Sequence, residues 1–119
     1  MTTSPGFYEN PYFTHNELAS RDGSLILHQG FLDALIALRE AWGRPMRINC
    51  CYRTPEHNRA VGGAANSQHL YGNAADVHMP RDEQEAFKAL AESMGWNGIG
   101  TYQTFIHIDR RDTHARWNG

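Results

Sequence analysis

The stretch Ser67-Gln68-His69-Leu70-Tyr71-Gly72-Asn73-Ala74-Ala75-Asp76 decides how the chain is read. Residues 64–72 carry no clean helical or strand period and predict a loop or single turn, with Gly72 supplying backbone freedom, whereas residues 74–79 read as a strand that Pro80 breaks. The turn presents His69 and the strand holds Asp76, seven positions later. A third group, His107, follows after about thirty residues. Two imidazoles and a carboxylate are the ligand types of a catalytic zinc site, in which a fourth position stays open to water.

Working outward from this stretch, Thr54-Pro55-Glu56 starts a helix, with Thr54 as N-cap and Pro55 in the first helical position, ending at Gly62-Gly63. Before it, residues 46–52 read as a strand around Ile48. Earlier still, Leu27, Phe31, Leu35, Leu38 and Trp42 recur at mostly three- and four-residue spacing, predicting the main core helix from Ser24 to a stop at Gly43. Thr14 and Glu17 form a capping box for a short helix over residues 15–21, ended by Asp22-Gly23. Residues 1–13 predict an irregular arm pinned by Phe7, Tyr8, Tyr12 and Phe13. Downstream, Asp82 and Glu85 suggest a second capping arrangement for a helix with Phe87, Leu90, Ala91 and Met94 on its core face, stopped by Gly95. Two short strands, residues 98–103 and 105–110, finish the chain. This order predicts an α+β fold in which helices pack on one small, mostly antiparallel sheet.

At 119 residues the chain is expected to be one domain, 1–119, with the arm at its start. A formal charge of −2 with both signs dispersed gives no reason to expect nucleic acid or an anionic membrane as partner. No apolar run approaches the roughly 18 residues that a membrane span needs. The start Met-Thr-Thr-Ser-Pro-Gly has neither a basic nor an apolar leader segment, so no signal peptide is expected. Adjacent cysteines bridge rarely, so Cys50 and Cys51 are expected to be free, buried thiols.

In a strand, residues two apart share a face, which puts His107 with Asp109 and Asp76 with His78. So many ionisable groups on a small sheet are costly to bury unless something pairs with them, and a divalent cation would. The same residues also fit a plainer assignment: a loop histidine, a hydrogen-bonded core histidine and a capping aspartate. Likewise Arg53 fits a surface arginine after a strand, and Ser67 a turn cap.

The ten-residue stretch resembles the S-x-H-x-x-G-x-A-x-D motif of the zinc D-alanyl-D-alanine carboxypeptidase family, related to lysostaphin-type and hedgehog-type zinc domains. Tyr52-Arg53-Thr54-Pro55-Glu56-His57-Asn58 is similar to that family's Y-R-T/S-P-x-H-N segment. Gly98-Ile99-Gly100, Phe105-Ile106-His107-Ile108-Asp109 and Ala115-Arg116-Trp117 resemble the close of its small C-terminal-domain branch. The resemblance implies that His69, Asp76 and His107 bind one Zn²⁺ and that the reaction is hydrolysis of an amide in peptidoglycan stem peptides. It implies a hedgehog-like or DD-peptidase-like fold. Arg53 matches a substrate-facing arginine, and Ser67 and Gln68 are placed to hydrogen-bond the stem peptide. The best-known members carry an acid three residues before the last histidine. Here that position is Thr104, which cannot act as a base, so Asp109 becomes either the general base or the group that orients a ligand histidine. Cys50-Cys51 replaces small residues usual at that place; as thiolates they could compete for zinc, but a buried structural role is expected. The cellular expectation is a monomeric phage or prophage endolysin, made in the cytoplasm and released through a holin pore. The rival is a binding or phage structural module that keeps the fold without turnover.

Overall fold

The computed structural model describes residues 10–119. In chain order it contains α1 (His15–Leu18), α2 (Phe31–Trp42), β1 (Ile48–Cys50), α3 (Pro55–Ala60), a 3-10 turn (Gln68–Tyr71), β2 (Ala74–His78), α4 (Arg81–Ser93), β3 (Gly98–Thr101), β4 (Phe105–Asp109) and β5 (Ala115–Asn118). The strands form one sheet in the order β1-β2-β4-β3-β5, antiparallel except for the parallel pair β3 and β5. The fold is α+β with a mostly antiparallel sheet, as the order of elements predicts. Among the described residues no helix is long and apolar enough to cross a membrane.

Alternation along the strands sorts the two faces. Ala75, Val77, Ile99, Ile106 and Ile108 are buried in the same core cluster as Phe31, Leu35 and Leu38 of α2 and Phe87 and Ala91 of α4. Each Val, Leu, Ile or Phe side chain among them contributes about 1.5–3 kcal/mol when fully buried. Trp42 meets Phe87 edge to face with ring centres 5.1 Å apart, tying α2 to α4. Gln84 is buried on α4, and its Nε2 donates to the carbonyls of Met79 at 2.9 Å and Tyr102 at 2.7 Å, fixing the helix against the strand ends.

Local signals hold where a cap or a left-handed glycine defines them. Thr14 and Glu17 make the reciprocal capping box, Thr54 accepts from the His57 amide, and Gly43 stops α2 in the left-handed region. Three expectations are corrected. The core helix starts at Phe31 rather than Ser24, because Gly30 sits at φ 82° and the preceding Leu25-Ile26-Leu27 runs extended with Leu25 and Leu27 buried. Asp82 and Glu85 do not cap α4: its N-cap is Pro80, with no side-chain cap, and Asp82 lies inside the first turn. A fifth strand is present beyond the two expected at the end. Of the arm, residues 1–9 with Phe7 and Tyr8 lie outside the described residues, while Phe13 is buried and Arg39 stacks over the Tyr12 ring at 4.7 Å.

Candidate metal centre

The second face of the sheet carries one polar row across all five strands. Pairing places Cys50 opposite Asp76, Asp76 opposite His107, His107 opposite Gly100, and Gly100 opposite Trp117. The neighbouring row runs Ala74, Asp109, Gly98, Ala115. The two glycines of the Gly-Ile-Gly motif therefore have a steric purpose. A Cβ on Gly98 would lie 2.1 Å from Asp109 Oδ1, and one on Gly100 would lie 2.2 Å from the Trp117 indole nitrogen. Their bare backbones make room for a buried carboxylate and for an indole that packs 5.1 Å from the His107 ring.

His69 reaches the row from the 3-10 turn. Ser67 caps that turn by accepting from the His69 amide at 3.2 Å, and Gln68 braces it by accepting from the Asn73 side chain at 3.0 Å. Gly72 ends it at φ 64°, where a Cβ would sit 2.0 Å from the Ile26 carbonyl oxygen. The sequence therefore requires glycine there twice, for conformation and for space.

Two imidazoles converge on one carboxylate oxygen. His69 Nε2 lies 3.3 Å from Asp76 Oδ1, and His107 Nδ1 lies 2.9 Å from the same atom. The far nitrogen of each ring is already engaged. His69 Nδ1 lies 2.6 Å from the Cys51 carbonyl oxygen, and since a carbonyl only accepts, that nitrogen carries the proton and Nε2 is the ligand edge. His107 Nε2 lies 2.7 Å from Asp109 Oδ2, turning Nδ1 toward Asp76. Both imidazoles are thus aimed by a backbone or carboxylate partner, the usual arrangement behind histidines that bind metal. Donors around a tetrahedral zinc with bonds of about 2.0–2.1 Å stand roughly 3.3–3.4 Å apart. The two separations from Asp76 Oδ1 lie within about half an ångström of this, so each imidazole edge fits an ion shared with that carboxylate.

Asp109 is completely buried behind His107, with both oxygens occupied. Arg111 grips it from Nε at 2.8 Å and from Nη2 at 2.7 Å, and adds a backbone N–H at 3.1 Å. Arg111 in turn stacks over Trp117 at 5.1 Å. Burial alone would raise the Asp109 carboxyl, but the hydrogen bonds from His107 and Arg111 outweigh it and hold the group well below the ordinary carboxylate range. Asp76 follows the same rule, with His107 and His69 overcoming its burial. For His69, burial opposes protonation, yet Asp76 and Cys50 lift its imidazole to about 10.

Arg53 sits at the rim, with Nη1 donating to Asn58 Oδ1 at 2.9 Å and Nη2 approaching Cys50 Sγ at 3.4 Å. Gly63 permits this: a Cβ there would lie 2.1 Å from Asn58 Oδ1. His78, at the end of β2, is exposed. Both cysteines are free, but only Cys51 is fully buried; Cys50 is partly buried and faces the site. Sequence reasoning missed Arg111, Trp117 as a wall of the site, and the Cys51 carbonyl. Arg111 lies two residues past the end of β4, as far from Asp109 as Asp109 is from His107, and that continued alternation was its available signal. The backbone carbonyl leaves no trace in residue types.

Two comparisons with known proteins bear on this geometry. The profile of the Peptidase M15 family matches residues 6–109. A 66-residue segment is 42% identical to the zinc D-Ala-D-Ala carboxypeptidase of Streptomyces albus G, covering 55% of this chain and 25% of that protein. The chain therefore spans only about a quarter of the length of that relative. With its family profile running from the N-terminal arm to the aspartate behind the second site histidine, the chain belongs to the Peptidase M15 family.

Proposed function

We propose that the chain is a zinc-dependent peptidase that hydrolyses amide bonds in the stem peptides or cross-links of bacterial peptidoglycan. The observation that carries this reading is the convergence of His69 Nε2 and His107 Nδ1 on Asp76 Oδ1, at 3.3 and 2.9 Å. In this reading His69, Asp76 and His107 hold the ion. The similarity to a zinc D-Ala-D-Ala carboxypeptidase supports both the metal and the substrate class. Bound zinc supplies Lewis-acid polarisation of a carbonyl and lowers the pKa of water toward neutrality.

The chain's own residues do the rest. Asp109, held by Arg111 on the far edge of the imidazole, orients His107 and keeps its Nδ1 free for the metal, which favours the orienting role over that of general base. Arg53, fixed by Asn58, presents a guanidinium at the rim, suited to a substrate carboxylate or to the oxyanion that develops during attack. Ser67 and Gln68 hold the turn that places His69, leaving their remaining hydrogen-bonding capacity for the stem peptide. The chain acts as a monomer in this reading, and a phage or prophage lysis enzyme is the cellular setting proposed for it.

A second reading keeps fold and ion without turnover. It is favoured by Thr104, exposed in the β3–β4 turn, and by the burial of Asp109, since neither offers a base on the substrate side. One experiment separates the two. Purified protein loaded with Zn²⁺ is incubated with sacculi and with a peptide ending in D-Ala-D-Ala, and the products are identified by mass. Release of D-alanine or of new amines supports the peptidase, and fragment masses assign the bond. Loaded protein that releases nothing supports the binding module. Co-expression with a holin tests the lysis setting: cultures should clear only when the intact site is present.

A further inference from the structure

We infer that Cys50 is a fourth protein donor to the metal, so that the resting centre is a closed Cys-His-His-Asp set from which the thiolate is displaced when substrate enters. The inference rests on the metal reading above and concerns a residue which that reading leaves unused. Cys50 Sγ, a ring nitrogen of His69 and a carboxylate oxygen of Asp76 all lie within 4.8 Å of one another, with Sγ 3.8 Å from His69 Nδ1, on the side of the ring that meets the Cys51 carbonyl. Zinc accepts a thiolate at about 2.3 Å alongside nitrogen at about 2.0 Å, which sets those donors roughly 3.5 Å apart. Bringing the sulfur to that spacing from His69 and Asp76 requires it to move inward by about an ångström.

The backbone is built to deliver this side chain. Ile48 pairs with Val77 and Cys50 with Asp76, so the register slips between them. Without the slip, Ile48 and Cys50 would share a face. With it, Ile48 enters the core at 7% exposure while Cys50 turns to the polar row. The adjacent thiol goes the other way: Cys51 is fully buried in the core, and only its carbonyl serves the site. The Arg53 guanidinium, 3.4 Å from Cys50 Sγ, borders the same side chain at the rim. On coordination the S–H proton passes to solvent and the sulfur–metal bond forms. Reversal of that step opens the position.

Cobalt(II) in place of zinc tests this by spectroscopy, independently of hydrolysis. The parent and Cys51→Ala should display an intense near-ultraviolet sulfur-to-cobalt charge-transfer band together with the visible ligand-field bands of a four-coordinate site. Cys50→Ser should lose the first and keep the second, and zinc should slow alkylation of Cys50 in the parent at least tenfold. Ligand-field bands without a charge-transfer band in the parent would overturn the inference while leaving the His-Asp-His centre standing. Failure of the parent to take up cobalt at all would overturn both.

Discussion

At the scale of single residues, both carboxylates of the site are held by imidazole or guanidinium partners. Asp109 is the most exacting, because a fully buried carboxylate is tolerable only while His107 and Arg111 occupy it. Replacing Asp109 with Ala should cost about 3 kcal/mol of stability, since it strands a partly buried guanidinium. It should also weaken zinc binding roughly 10–100-fold through the freed imidazole. Chemical unfolding and a chelator competition would read the two effects. The acid limb of stability follows from the same pairs. Asp76 and Asp109 have carboxyls held below their ordinary value of 3.8, so their contribution is whole above about pH 4 and is lost as pH falls through the lowered values. His69 works in the opposite sense: raised from 6.5 to about 10, it contributes fully below 6.5 and loses its contribution as pH rises through about 10. Metal-free protein should therefore have its highest urea midpoint between about pH 4 and 6.5, falling on both sides. A midpoint that climbs steadily from pH 6.5 to 10 would contradict this.

At the scale of elements, residue patterns were informative wherever a cap, a proline or a left-handed glycine marked an end. Thr54 and Pro55 at α3, Thr14 and Glu17 at α1, and Gly43 after α2 are local devices, and they act as their chemistry dictates. The patterns misled where apolar spacing alone was followed. Leu27 lies four residues before Phe31, in step with the helix period, yet it belongs to an extended segment whose His28 amide donates to the Gly72 carbonyl. Strand β5 was illegible for a different reason. Ala115 to Trp117 are all only half-buried, so no alternation marks them, and their partner β3 is fixed by tertiary pairing. The Gly-Ile-Gly segment makes the sharpest test at this scale. Gly98→Ala pushes a methyl against Asp109 and should cost about 1–3 kcal/mol, whereas Thr54→Ala, which removes only a cap, should cost about 1 kcal/mol. Gly100→Ala should also shift the Trp117 fluorescence, because the indole occupies the space the methyl would take. Thermal unfolding of the three variants ranks them.

At the scale of the whole molecule, one sheet separates two jobs. Its inner face joins β1 to β4 to the helices through an apolar cluster, and its outer row gathers groups from distant parts of the chain. The His69, Asp76 and His107 convergence was legible as residue types and motif, but the direction of each ring was not, because it depends on a carbonyl at position 51 and on a carboxylate locked by Arg111. Since the donors come from the 3-10 turn, β2 and β4, an ion bound among them should stabilise the folded chain as a unit. Zinc at a hundred times its dissociation constant should add about 2.7 kcal/mol. That corresponds to roughly 10 °C in melting temperature for a chain of this size. Excess chelator should return the melting point to that of the metal-free protein.

The central claim is that two imidazoles and one carboxylate share a single cation, and anomalous scattering at the zinc edge from crystals grown with one equivalent of the metal tests it most directly. The account predicts one strong peak within about 2.0–2.2 Å of His69 Nε2, an Asp76 oxygen and His107 Nδ1. A peak elsewhere, or none among these three side chains, would contradict it.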